Sequence, residues 1–285
     1  MIKPGSDKHK VSVGDKNTIP CESTGMLHPL LLRRIQIFTA TFILILVHGS
    51  NGAAQSPFQA KIQFVPPPPP TIGVPREGGR GAGSRGPACK RYENVTALVP
   101  FTKTKVQTIQ WGLTTVKHPT VWFYAPQGLA ANIPLEFVLQ DEAGQNRFRT
   151  VVQTSNVPKG VFSLSLPATA DPLQLGKLYR WSISIYCDPE ALDIPITVEG
   201  NVKRIALSNS VQNQLAATQS ILEQANLYAT EGVWYDALTT LGESLRQSEG
   251  SESIMAWKDL LQQANLGDTA RATIVPCCTI VKRTH

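Results

Sequence analysis

Histidine and cysteine are scarce in this 285-residue chain, with five of each, and many catalytic and metal sites depend on these side chains. The histidines lie mostly in the first 54 residues or next to a turn or terminus: His9, His28, His48, His118 and His285. The sequence has no His-Glu-x-x-His motif, no Gly-x-Ser-x-Gly turn and no phosphate-binding loop ending in Gly-Lys-Ser/Thr. The sequence therefore indicates no particular reaction. We predict no catalytic residue, no metal ligand and no cofactor.

Long apolar runs are also rare, and the run Ile35–Val47 is shorter than the ~20 residues that cross a membrane. Two arginines precede it and small residues follow up to Ala54, which is the order of a secretory signal peptide cleaved after Ala54. Because the residues before Met26 are polar, we predict that translation starts at Met26 and that residues 1–54 form the leader. The sequence predicts an exported protein, periplasmic or extracellular. The alternative is anchoring to the inner membrane by an uncleaved leader.

Acidic residues are fewer than basic ones, and the excess is mild. Removing residues 1–54 takes away six of the 27 Lys and Arg and three of the 21 Asp and Glu, which lowers the net charge from +6 to +3. Much of the remaining positive excess lies near the start of the exported chain, where a basic segment can meet an acidic surface or serve as a solubilising tether. Nucleic acid is not an expected partner, because no aromatic residue lies between Phe64 and Tyr92 to stack on bases.

Residues 55–87 contain few apolar side chains. Five consecutive prolines, Pro66–Pro70, favour polyproline II structure. The glycine-rich stretch at residues 78–86 lacks the apolar groups that would offset the entropy lost on ordering. We therefore predict a disordered Pro/Gly/Arg-rich linker over residues 55–87, with ordered structure beginning near Cys89.

Eight short runs after Cys89 have the composition of strands, and turn signals separate them at the spacing of an antiparallel sandwich. The predicted strands are Val95–Val99, Ile109–Thr115, Thr120–Tyr124, Leu135–Leu139, Arg147–Val152, Val161–Leu166, Tyr179–Cys187 and Ile196–Ile205. Asp141–Gly144 is a predicted hairpin turn. The alternation in Tyr179–Cys187 predicts one face in the core and one in solvent. Residues 88–207 are therefore predicted to form an Ig-like sandwich of about seven to eight strands.

Residues 208–285 change to helical spacing and predict an α-helical C-terminal region, so the fold class is α+β. One helix is predicted from Leu215 to Tyr228, a second begins at Trp234 after Gly232, and a third ends at Gly267. Small and aromatic residues in the first two helices resemble a single tetratricopeptide repeat: Ala225, Tyr228, Gly232, Trp234, Ala237 and Leu238. Repeat arrays need about three units for stability, so we expect these helices to pack on the sandwich rather than to form an independent binding groove. Four tryptophans are predicted to be core residues: Trp122, Trp181, Trp234 and Trp257.

The exported chain holds four cysteines, Cys89, Cys187, Cys277 and Cys278, and an even number in an exported protein indicates disulfides. Three pairings are possible. The sequence favours the two that tie the C-terminal pair back to Cys89 and Cys187, over the strained bond between adjacent Cys277 and Cys278. A Cys₄ zinc site is disfavoured, because adjacent cysteines do not fit the usual ligand spacing.

Acidic residues cluster at one place in the predicted sandwich. Asp188, Glu190 and Asp193 follow Cys187 and offer a weak carboxylate cluster that could act as an acid–base pair or a calcium site. Prolines bracket the cluster, which favours a solvated loop between strands.

A series of motifs in fixed order runs through the ordered chain. It consists of Arg85-Gly86-Pro87 with nearby Cys89, then Thr96–Pro100, Pro119–Tyr124, Glu136–Asp141, Leu175–Trp181, Cys187–Pro189, Val198–Gly200 and Trp234–Leu238. The series resembles a secreted cyanobacterial family known as domain of unknown function 928, over roughly Arg85 to Cys278. The resemblance implies an exported protein of cyanobacterial source, but it implies no activity and supplies no functional residues.

Two functions from different classes fit these observations. The first is a non-catalytic envelope or extracellular module with a binding or structural role, whose partners would be envelope or extracellular proteins or cell-wall polymer. The second is a hydrolase or binding protein that acts on cell-wall or extracellular polysaccharide, with Asp188, Glu190 or Glu199 as acid and base. Facing carboxylates in a groove lined by Trp122 or Tyr124 would favour the second function.

Overall fold

A computed structural model describes residues 61–70, 89–103, 108–187, 195–248 and 250–280, all within one unit, Gln55–His285. The leader, Met26 and the cleavage site after Ala54 lie outside the described residues. The strands are β1 (Thr96–Ala97), β2 (Phe101–Lys103), β3 (Thr108–Thr114), β4 (Thr120–Ala125), β5 (Pro134–Gln140), β6 (Asn146–Gln153), β7 (Gly160–Ser165), β8 (Leu178–Ile185), β9 (Ile196–Arg204) and β10 (Thr279–Ile280). The helices are α1 (Asn209–Ala217), α2 (Ile221–Thr230), α3 (Trp234–Gln247) and α4 (Ser251–Gln263). The α+β class is confirmed.

The described strands form two sheets. The small sheet has the order β1-β4-β7, and the large sheet has the order β10-β6-β5-β8-β9-β3-β2. Each of the eight predicted runs contains a strand, and the predicted hairpin turn is confirmed by a bond from the Gly144 amide to the Asp141 carbonyl, 2.9 Å, with Gly144 at φ +75°.

One strand pair corrects the expectation of a wholly antiparallel architecture. β3 and β9 are parallel, with Trp111 opposite Asn201. Hairpins force neighbouring strands to be antiparallel, whereas β3 and β9 are separated by most of the β domain and no short turn sets their relative direction. The sequence pattern therefore carried no information about this pairing.

The small sheet packs against the large sheet on one face and against α4 on the other, and α3 also contacts β3 of the large sheet. Phe123 faces the large sheet, where its ring packs edge-on against Trp181 at a centroid distance of 5.3 Å. Its neighbour Trp122 points the other way and packs against Trp257 of α4 at 5.7 Å. The four tryptophans predicted to lie in the core are at most 2% exposed, which confirms that prediction. In β8, Trp181, Ile183 and Ile185 are buried while the residues between them are half-buried, as the alternation predicted.

The helices differ from the prediction in two places. The single helix expected from Leu215 to Tyr228 is two helices, because Ser220 caps a new helix by accepting a bond from the Glu223 amide, 3.4 Å. The helix expected to end at Gly267 ends at Gln263. Asn265 takes the left-handed conformation there, with φ +61°, and the Leu266 amide bonds to the Leu261 carbonyl, 2.8 Å.

The C-terminal residues return to the sheets, which corrects the expectation of a purely helical tail. Ile274 forms a parallel bridge with Val161 of β7, and β10 pairs with β6. The helical layer is thus followed by a segment that contacts both sheets.

Candidate functional site: a groove that holds an extended segment

Part of the predicted linker is packed against the helical layer. Residues 61–67, called the strap here, run in extended conformation along α2 and α4. Ile62 is 1% exposed and Phe64 is 7% exposed, whereas Lys61, Gln63 and Val65 are exposed. The prediction of a disordered linker from residue 55 to residue 87 is therefore wrong for this stretch, while residues 55–60 and 71–87 lie outside the described residues.

The groove that holds the strap recognises its backbone. Gln263 of α4 accepts a bond from the Phe64 amide, 2.9 Å, and donates one to the Ile62 carbonyl, 2.8 Å. On the α2 side, Asn226 accepts from the Gln63 amide, 2.9 Å, and the Ala229 carbonyl accepts from the Val65 amide, 3.1 Å. We call these residues, with Gly232 and Trp234, the strap groove.

Two features of the strap groove shape the fit. The Phe64 ring packs edge-on against Trp234 at a centroid distance of 5.1 Å. A Cβ on Gly232 would lie 2.8 Å from the Val65 carbonyl oxygen and 3.0 Å from Pro67, so only glycine lets the strap pass this closely. Gly232 also has φ +71°, a conformation that favours glycine in the turn between α2 and α3.

Sequence reasoning missed the strap, although a signal was present. Ile62, Phe64 and the polar residues beside them alternate with period 2, which is typical of a half-buried extended segment. The five prolines that follow, Pro66–Pro70, favour polyproline II structure and so predict a linker instead. Gly232 was assigned correctly as a helix break, but its second role, as the point where the strap crosses, depends on a contact between residues far apart in the chain.

A cleft of about 600 Å³ opens beside the strap. It is lined by Lys61, Ile62 and Gln63 of the strap and by Asp259, Gln262 and Gln263 of α4. Polar side chains dominate its walls, so the exposed edge of the strap stays in contact with solvent.

The four cysteines form two disulfides, but not in the favoured pairing. Cys89 bonds to Cys187, and Cys277 bonds to Cys278. The expectation that the C-terminal pair ties back to the sandwich is thus wrong. Cys89 and Cys187 are both buried, with Cα atoms 5.0 Å apart, so the end of β8 lies next to the start of the β domain. β10, rather than a disulfide, connects the C-terminal segment to the large sheet.

The predicted carboxylate cluster Asp188, Glu190 and Asp193 lies outside the described residues. Glu199 is on the polar face of the large sheet, where it pairs with Arg180.

Sequence reasoning missed a second carboxylate on that face. Glu136 is 8% exposed, accepts a bond from the Arg149 guanidinium, 2.6 Å, and accepts another from the Tyr186 hydroxyl, 3.0 Å. Burial, and secondly the bond to Glu136, raise the pKa of Tyr186. Both Glu136 and Glu199 thus already hold charged partners within the sheet.

A cleft of about 310 Å³ adjoins Tyr124. Phe101 and Tyr124 are its aromatic walls, Asn94, Gln127 and Asn265 supply amides, and Asp268 is its carboxylate. Trp122 is 1% exposed in the core. Among the described residues, this cleft therefore combines aromatic rings with amides rather than with two facing acids.

A third cleft, of about 320 Å³, lies between α4 and the segment before β10. Apolar side chains, including Leu245, Ile254 and Ile274, line it together with Lys258 and Arg271. The Trp257 indole N–H beside it is buried and has no hydrogen-bond partner among the residues that the structure describes. This cleft therefore combines apolar walls with two cations, a combination that the clefts beside the strap and beside Tyr124 do not have.

In the part of the chain that the structure describes, no group of three or more His, Cys, Asp or Glu side chains is placed to hold a metal ion. No helix among the described elements has the length and apolar character needed to cross a membrane.

The family of the chain follows from comparison with known proteins. Neither a curated protein nor a solved structure matches it. The model of the family described as Domain of Unknown Function (DUF928) matches residues 80–274, more than half of the chain. The match covers β1 to β9 and all four helices but begins after the strap. The chain therefore belongs to the DUF928 family.

Proposed function

We propose that this protein is an exported, non-catalytic module that binds other envelope or extracellular components, in the periplasm or outside the cell. The observation that carries the binding role is the strap groove, which recognises the backbone of an extended segment through Asn226, Ala229 and Gln263. Such recognition of main-chain groups, with pockets for alternate side chains, is how proteins bind extended peptides.

The two disulfides support export. Disulfides persist in oxidising compartments and are rare in the cytosol, and here Cys89–Cys187 joins segments that are 98 residues apart. The apolar run Ile35–Val47 before Ala54 fits a cleaved signal peptide. The resemblance to a secreted cyanobacterial family gives the proposed source.

The fold proposed for this module is an Ig-like sandwich carrying a tetratricopeptide-like hairpin. Two facing sheets around Phe123 and Trp181 support the first part. Fully buried Ala225 and Ala229 on α2 and Ala237 on α3 support the second, because small residues let two helices approach closely.

A second candidate function is the binding of cell-wall or extracellular polysaccharide. The cleft beside Tyr124 favours it, since aromatic faces and amide groups are what a sugar ring and its hydroxyls would contact. In this alternative Asp268 contributes a hydrogen-bond acceptor rather than one member of a catalytic pair.

In-cell crosslinking tests the proposal. The affinity-tagged protein is crosslinked in the source organism, captured from envelope and medium fractions, and its partners are identified by mass spectrometry. We expect a reproducible protein partner that is depleted when Asn226 and Gln263 are both replaced by alanine. Glycan fragments without protein would support the second candidate. Capture of the bait alone, or only from the cytoplasm, would contradict both.

A further inference from the structure

We propose that the strap groove is a peptide-binding site that also accepts the strap of a second copy of this chain, so that two copies join by exchanging straps. The inference rests on the proposed binding role and not on export. It assigns a ligand class, an extended segment with apolar residues two positions apart, and a partner, the same protein.

The contacts of the strap are those of a bound peptide. Three of its amides and one of its carbonyls bond to groove residues, and those bonds would form with any extended segment. Sequence selection comes from Ile62 and Phe64, which are buried while Gln63 between them is exposed. Pro67 adds selection where it passes Gly232.

The strap is separate from the domain that binds it. The family match begins at residue 80, so the groove lies inside the matched domain and the strap lies outside it. Eighteen residues, 71–88, connect Pro70 to Cys89, and a connection of that length spans at most about 60 Å. A connection of this length, unlike a tight turn, does not confine the strap to the groove of its own chain.

A second copy is the occupant that the structure favours, because exchange reuses every contact of the closed form. The same bonds from Asn226 and Gln263 and the same edge-on packing against Trp234 form in both arrangements, as in other exchanges of an identical element between copies. The connecting residues give the chain's own strap an effective concentration of the order of millimolar. We therefore expect closed monomers in dilute solution and exchange where copies are concentrated.

Peptide binding is tested first, on the full chain. Ile62→Asp with Phe64→Asp releases the strap and leaves the groove unchanged. A fluorescent peptide of residues 61–70 should bind this variant, and adding Gln263→Ala and Asn226→Ala should weaken binding about tenfold or more through lost hydrogen bonds. Gln262→Ala is the matched control, because Gln262 lines the same cleft and should leave peptide affinity unchanged. Absence of peptide binding would overturn the proposal.

Exchange is tested by mixing. The released-strap variant Ile62→Asp with Phe64→Asp supplies a free groove, and Asn226→Ala with Gln263→Ala supplies a free strap. Sedimentation of the mixture should show a heterodimer that neither variant forms alone. Two monomers at all concentrations would contradict exchange.

A third measurement uses the unmodified protein and so does not depend on whether a variant folds. Isotope-labelled and unlabelled chains are mixed at near-millimolar concentration and treated with a lysine crosslinker. Lys61 and Asp259 line the same cleft, and Lys258 precedes Asp259 in α4, so a Lys61–Lys258 crosslink joining one labelled and one unlabelled chain is expected. The same crosslink found only within single-isotope species would overturn the proposal. Failure to find an envelope partner would contradict the proposed function but would leave these three results unaffected.

Discussion

Three consecutive side chains at the start of α3 connect the helical layer to strands of the β domain or to residues directly after them. The Trp234 indole donates to the Leu98 carbonyl, 2.9 Å, and the Tyr235 hydroxyl donates to the Asn201 carbonyl, 3.0 Å. Asp236 accepts bonds from the Thr114 hydroxyl, 2.7 Å, and the Thr115 hydroxyl, 2.6 Å. These buried bonds fix α3 against the sheets and thereby place Trp234, which forms one wall of the strap groove.

Asp236 makes stability depend on pH. Burial raises its pKa above the ordinary 3.8, although hydrogen bonds from Thr115 and Thr114 oppose the shift. A carboxyl whose pKa is raised on folding contributes stability that is present below the unfolded pKa and lost as pH rises through the folded pKa. The free energy of unfolding of the native protein, relative to that of Asp236→Asn, should therefore fall as pH rises from 4 towards neutrality. Urea unfolding across this range measures it, and a constant difference would contradict the account.

Gly242 on α3 is a second single-residue test. A Cβ at this position would lie 2.3 Å from the Trp122 ring, so Gly242→Ala should overpack the junction between α3 and β4. We expect it to lower the free energy of unfolding by about 1–3 kcal/mol. Gly267→Ala is the control, since its Cβ would meet an atom only at 3.5 Å and should change stability little. Equal stability of the two variants would show that Trp122 can move aside.

At the scale of elements, the sequence predicted the structures that depend on neighbouring residues in the chain. The strands and the turn at Gly144 follow from alternation and from glycine's freedom at positive φ, so all eight runs were found. The two-residue strand β10 is too short to show a period. The parallel pairing of β3 with β9 and the seating of the strap arise from contacts distant in sequence, which no local pattern records. The split at Ser220 was readable as a helix cap, but the apolar spacing outweighed it.

The strap should stabilise the helical layer through its buried side chains. Phe64→Ala removes the ring that packs on Trp234 and should lower the free energy of unfolding by about 2–4 kcal/mol. Gln63→Ala is the matched control, because the Gln63 side chain is exposed and its backbone bond to Asn226 is retained. Chemical unfolding compares the two. A Phe64→Ala protein as stable as the Gln63→Ala protein would mean that the strap adds nothing to the fold.

The two disulfides should differ greatly in their effect on stability. Cys89–Cys187 joins residues separated by 98 positions, whereas Cys277–Cys278 joins neighbours and closes no chain loop. Replacing Cys89 and Cys187 with serine should therefore lower the free energy of unfolding by about 3–5 kcal/mol. Replacing Cys277 and Cys278 should change it by less than about 1 kcal/mol under the same loop-entropy reasoning. Comparable losses in the two double variants, measured by guanidinium unfolding, would contradict this reasoning.

At the scale of the whole molecule, three separate parts act as one unit. Strands β1 to β9 and the helices belong to the family domain matched at residues 80–274, and the strap is added from outside it. The strap contacts α2 and α4, and α4 packs through Trp257 on the small sheet. Release of the strap from its groove is therefore expected to destabilise the helical layer before the sheets.

We propose that the protein works outside the cytoplasm as a disulfide-bonded binding module. A non-reducing peptide map of the protein isolated from separated cell fractions tests it most directly, because it reads compartment, N-terminus and cysteine pairing together. We predict recovery from the envelope or the medium, an N-terminus at Gln55, and linked Cys89–Cys187 and Cys277–Cys278 peptides. Recovery from the cytoplasm with free thiols and an intact leader would contradict the claim.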